Sequence, residues 1–62
     1  MSPNETRWTE LCEWAAARGI DAATLRRWSK EVNPFWQEWN CGPDWADFLR
    51  RKVDIAVAER DI

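Results

Sequence analysis

Ala23, Arg26, Arg27 and Lys30 fall at helical spacing on one side of the stretch AATLRRWSK, so a small side chain and three cations share one surface. A guanidinium fork matches the paired O6 and N7 acceptors of a guanine edge, and an ammonium is a point charge for a phosphate oxygen. An alanine allows close approach or touches a thymine methyl. Read without a ligand, the same residues are a solvated helix face. Other chemistry is poorly supplied. The chain has no His, and Cys12 and Cys41 are its only thiols, so a four-ligand zinc site would need carboxylates. Neither Cys has a neighbouring base, no Gly-rich phosphate loop is present, and the carboxylates fall on hydrated faces. Neither catalysis nor a metal or cofactor is expected.

The cations need a scaffold, and the flanking residues specify one. Ser2, Pro3 and Glu5 open a first helix as cap, first helical residue and capping-box partner. Trp8, Leu11, Trp14, Ala15 and Arg18 then share an arc with Cys12 at its edge, while Glu10, Glu13 and Ala17 face away. Gly19 predicts a left-handed stop with Ile20 as its hydrophobic contact. Asp21 caps a second helix, and Ile20 is placed to staple onto Leu25. In that helix Ala22, Leu25, Trp28, Ser29 and Val32 face inward, opposite the basic side. Asn33–Pro34 closes it and starts a short third helix, from Pro34 through Phe35, Trp36 and Trp39 to Asn40, which Gly42 and Pro43 break. Asp44 is expected to cap a last helix reaching about residue 60, with Trp45, Phe48, Leu49, Lys52, Ile55 and Ala56 as its apolar stripe.

No strand pattern, repeat or low-complexity segment appears, so residues 1–62 read as a single all-α domain, a small bundle of three to four short helices containing a helix-turn-helix-like hairpin. A domain this short buries only about 60% of its unfolded surface. Six Trp help to make up the shortfall in core. The net charge of −2 argues against a binder held by bulk positive charge, and the acidity resides in residues 32–62. No run approaches the roughly 18 apolar residues of a membrane span and no signal-like leader is seen, so a cytoplasmic protein with reduced thiols is expected.

Leu11 to Lys30, LCEWAAARGIDAATLRRWSK, resembles the helix-turn-helix DNA-binding superfamily, of the transposase or small phage regulator type. Ala15 matches the small residue of the first helix, Gly19 the turn glycine four positions on, and Ile20, Leu25 and Trp28 the apolar positions that follow, with Trp14 matching a further one. Arg18 departs from the pattern, since an apolar residue usually stands before the turn glycine. It must snorkel past the core or stack on Trp14. The resemblance implies double-stranded DNA as partner, with Asp21, Ala22, Ala23, Arg26, Arg27 and Lys30 toward the major groove. Ala23, Arg26, Arg27 and Lys30 are then the contact residues, and Asp21 reads better as a helix cap. Transcription regulation, recombination or packaging would be the setting. A homodimer through the last helix, using Ile55, Ala56 and Val57, would let two copies read a pseudo-palindrome.

The rival reading is a protein-interaction module, an adaptor or inhibitor, because Trp36, Trp39 and Trp45 concentrate the residue type most enriched in interface hot spots. Base stacking on single strands would need basic residues among these rings, and FWQEWNCGPDW has none.

Overall fold

A computed structural model describes residues 2–60 as three α-helices and one 3₁₀ turn, the all-α bundle expected. Helix α1 spans Pro3–Ala16, α2 Ala22–Val32 and α3 Pro43–Arg60, with the 3₁₀ turn at Glu38–Asn40. Ser2 Oγ accepts the Glu5 N–H at 3.2 Å and Pro3 occupies the first turn, as the opening residues predict. Trp8, Leu11 and Ala15 bury one face of α1, and Ala15, with no side chain beyond Cβ, carries no exposed surface at all.

The stop after α1 is a Schellman ending. Ile20 N–H donates to the Ala15 carbonyl and Gly19 N–H to the Ala16 carbonyl, both at 3.0 Å, and Gly19 takes φ +84°. Ile20 and Ala15 are both buried in the core there. Any L-residue at Gly19 must hold this left-handed conformation, which costs about 1–2 kcal/mol. The added Cβ would lie 2.8 Å from Arg60 Nη1, the mobile end of a long side chain, so backbone strain sets the effect. Gly19→Ala is therefore expected to lower the melting temperature by about 4–8 °C per kcal/mol lost, measured by circular dichroism, with Gly19→Asn costing less.

Asp21 restarts the chain as cap of α2. Its Oδ1 accepts the Thr24 N–H at 2.9 Å and the Thr24 hydroxyl at 2.7 Å. Leu25 and Ser29 are the buried residues of α2, with Trp28 packed at the core edge. Ser29 is fully satisfied, donating Oγ to the Leu25 carbonyl at 2.9 Å and accepting the Trp45 indole N–H at 3.1 Å. Val32, expected to face inward, is 58% exposed, because the chain turns away one residue later at Asn33.

The third helix expected over Pro34–Asn40 does not form. Asn33 organises a turn instead, its Oδ1 accepting the Phe35 N–H at 3.1 Å and its carbonyl the Trp36 N–H at 2.9 Å. Two side chains of α1 clip the following segment down: Asn4 Nδ2 donates to the Trp39 carbonyl at 2.8 Å and Arg7 Nη1 to the Cys41 carbonyl at 2.9 Å. Helix α3 also begins differently. Pro43, expected as a breaker, opens it; the Ala46 N–H closes onto the Gly42 carbonyl at 3.0 Å, and Asp44 sits inside the first turn rather than at the cap. The buried face of α3 is Ala46, Leu49 and Val53, rotated from the predicted stripe, which leaves Ile55 exposed.

The three helices and the clipped segment share one core of Trp8, Leu11, Ala15, Ile20, Leu25, Trp36, Cys41, Ala46, Leu49 and Val53. At its centre the Trp36 ring meets Trp8 edge-on at 5.0 Å and stacks on Trp45 at 6.1 Å. No described helix is long and apolar enough to cross a membrane.

Candidate functional site

The Schellman stop and the Asp21 cap fix where α2 begins, and Leu25 and Ser29 fix which side of it faces the core. Ala23, Arg26, Arg27 and Lys30 consequently stand together on the exposed side of α2. Their electrostatic settings differ. Arg26 Nε donates to Glu38 Oε1 at 2.7 Å, and its guanidinium lies 5.8 Å from the centre of the Trp8 ring. Among the described residues this is the one ion pair, so Arg27 and Lys30 are the cations of the face without a carboxylate partner.

Glu38 is the residue that sequence reasoning missed. It belongs to the 3₁₀ turn, twelve positions from Arg26, and the fold carries it back against the basic side of α2. Its own backbone N–H, and next the Arg26 side chain, hold its carboxyl below the ordinary value, with Lys30 adding a smaller pull in the same direction. A carboxylate held ionised beside Arg26 reduces the positive charge that this side of α2 presents. At the other end of the face, Asp21 is also held below its ordinary value, first by the Thr24 hydroxyl, then by the Thr24 N–H, with Arg27 contributing less. Both Asp21 oxygen contacts belong to capping, as the sequence reading of that residue has it.

The departure at Arg18 takes the second of its two expected forms. Its guanidinium covers the Trp14 ring at 4.0 Å and Nη1 donates to the Trp14 carbonyl at 3.1 Å. Arg50 of α3 approaches the same ring at 5.7 Å, so two cations reach an indole that packs, partly buried, against the core.

Of the three rings named for a protein partner, the structure brings one to the surface. Trp36 is 1% exposed and Trp45 is partly buried with its N–H committed to Ser29, whereas Trp39 is 57% exposed. Phe35, which the sequence reading placed in the short third helix, is 86% exposed on the Asn33 turn.

Cys12 and Cys41 are free thiols at the core. Burial pushes both above the ordinary thiol value, and the lowering influence of Arg26 on Cys12 and of Arg7 and Arg50 on Cys41 is smaller. Protonated sulfurs so placed, Cys41 buried and Cys12 partly so, act as small apolar packing groups. Among the described residues, no three His, Cys, Asp or Glu side chains converge where a metal ion could be held.

No known protein family, characterised protein or solved structure matches this chain.

Proposed function

We propose that this chain is a small helix-turn-helix DNA-binding protein that lays the exposed side of α2 in the major groove, as a transcriptional regulator or a recombination or packaging accessory factor. The observation supporting it is the pairing of a rigid turn with a one-sided helix. Gly19 and Asp21 fix the entry of α2, Leu25 and Ser29 bury its inner side, and Ala23, Arg26, Arg27 and Lys30 remain together outside. Arg27 and Lys30 supply the immediate phosphate or base contacts. Arg26 contributes once it exchanges the Glu38 carboxylate for an acceptor on DNA.

Selection of bound sequences from random duplex DNA tests this, followed by salt titration of the winning site. A defined motif is expected. Arg27→Ala and Lys30→Ala should each flatten the slope of log affinity against log salt by about one, the signature of a lost phosphate contact. Absence of duplex binding at low salt overturns the reading.

A second reading, a protein-interaction module, draws on Phe35. The phenyl ring is 86% exposed, with Trp39 at 57% and Val32 at 58% in the same short stretch of chain, and exposed aromatic rings are the residue type that interfaces use as anchors. Under that reading Trp39 remains from the ring set that the sequence singled out, while Trp36 and Trp45 stack on each other in the core and at its edge.

A further inference from the structure

Along the edge of α3, Lys52, Ile55, Ala56 and Glu59 line an open groove of about 250 Å³ with Trp28 of α2. Ile55 is 58% exposed in it. Lys52 Nζ lies 5.9 Å from the Trp28 ring centre and 5.5 Å from that of Phe48, and neither Lys52 nor Glu59 has an ion-pair partner among the described residues. The groove therefore has an apolar middle, a cation at one end and an anion at the other.

We propose that a second copy of this chain occupies the groove, its α3 running antiparallel to the first about a two-fold axis between positions 55 and 56. The charge order selects this occupant. A two-fold axis at that point sets Lys52 of one copy against Glu59 of the other, twice, with Ile55 of each copy against Ala56 of the other between the pairs. The two ion pairs lie about 10 Å apart at the α-helical rise. Arg51 falls opposite Arg60, but the Arg60 guanidinium is turned to the Gly19 carbonyl at 3.5 Å and does not face it. A parallel pair would instead oppose Lys52 to Lys52 and Glu59 to Glu59. A partner of uniform charge would satisfy one end and clash at the other, whereas the chain reversed on itself satisfies both. Burying Ile55 in this way accounts for an apolar side chain that the core of one copy leaves uncovered.

The proposal stands apart from DNA binding and is tested without DNA. One helix edge gives an interface below the standard size, so association in the micromolar range is expected, measured by sedimentation equilibrium at about 100 μM and low salt. The wild-type chain should be dimeric there. Lys52→Glu and Glu59→Lys should each weaken association at least tenfold, since each variant alone opposes like charges twice. Mixed in equal amounts they should dimerise again, because one copy then presents only anions and the other only cations at these positions. The double variant K52E/E59K should also be dimeric. Circular dichroism of each variant separates lost pairing from lost folding, and the mixture recovers pairing only if both chains are folded. A monomeric wild type, or single variants that associate as well as it does, or a mixture that stays monomeric, overturns the proposal.

Discussion

Trp36→Ala is expected to unfold the chain at room temperature, with loss of the helical circular dichroism signal and a red shift of the remaining Trp emission. Trp36 is buried between α1 and α3, edge-on to Trp8 of α1 at 5.0 Å and stacked at 16° on Trp45 of α3 at 6.1 Å. Truncating a buried Trp to Ala costs about 3–5 kcal/mol through lost transfer energy and the cavity left behind. A single core in a chain of this length supplies about 3–5 kcal/mol in total, so one substitution removes most of the margin. Trp36→Phe makes the test sharper. Trp36 Nε1 is buried with no hydrogen-bond partner among the described residues, and a stranded donor of that kind costs about 1–3 kcal/mol. Phe retains an aromatic ring between Trp8 and Trp45 while deleting the stranded donor, so part of its cavity cost is offset. Trp36→Phe should stay folded and unfold cooperatively in urea. A folded, cooperative Trp36→Ala, or a Phe variant as damaged as the Ala variant, would show that the ring is not the keystone of this core.

The same ring explains where the sequence was legible and where it was not. The hairpin could be read because its signals are local: Ser2, Gly19 and Asp21 each act on backbone groups within five residues, and each does so here. Phe35, Trp36 and Trp39 also fit a helical period, yet a helix through them cannot satisfy the packing. It would turn Trp36 and Trp39 toward neighbouring sides, whereas the core takes Trp36 and leaves Trp39 in solvent. What breaks the period is long-range, namely the hydrogen bonds from Asn4 and Arg7 that hold residues 39 and 41 across α1, and no window of sequence contains both ends. On α3 the large Trp45 and Phe48 pulled the predicted stripe toward themselves. The close approach to α1 and α2 selects the smaller Ala46 and Val53 for the middle, with the aromatic rings as flanks. For the candidate site, the exposed side of α2 followed from the wheel. Glu38 did not, because its nearness to Arg26 depends on the whole path of the chain from Asn33 to Asn40.

That carboxylate leads to the second large effect. Glu38→Lys should raise affinity for duplex DNA by about tenfold or more at low salt and steepen the salt dependence by about two contacts, one from the released Arg26 and one from the new lysine. The fold should tolerate the change, since Arg26 and Glu38 are half and one-third exposed and an ion pair of that kind contributes only about 0–1 kcal/mol. Glu38→Gln, which releases Arg26 and adds no charge, should fall between wild type and Glu38→Lys. Any added positive charge strengthens binding to a polyanion somewhat, so the comparison is Glu10→Lys, the same charge reversal at an exposed position on the outer side of α1. If α2 carries the DNA contacts, Glu10→Lys gives a small gain and Glu38→Lys a large one that disappears when Arg26→Ala, Arg27→Ala and Lys30→Ala are combined with it. Equal gains at the two positions would mean that charge alone attracts the DNA and that α2 has no special part in holding it. Glu38 would then be a clamp for the 3₁₀ turn and nothing more, and the exposed Phe35 and Trp39 of the same stretch of chain would become the surface to pursue.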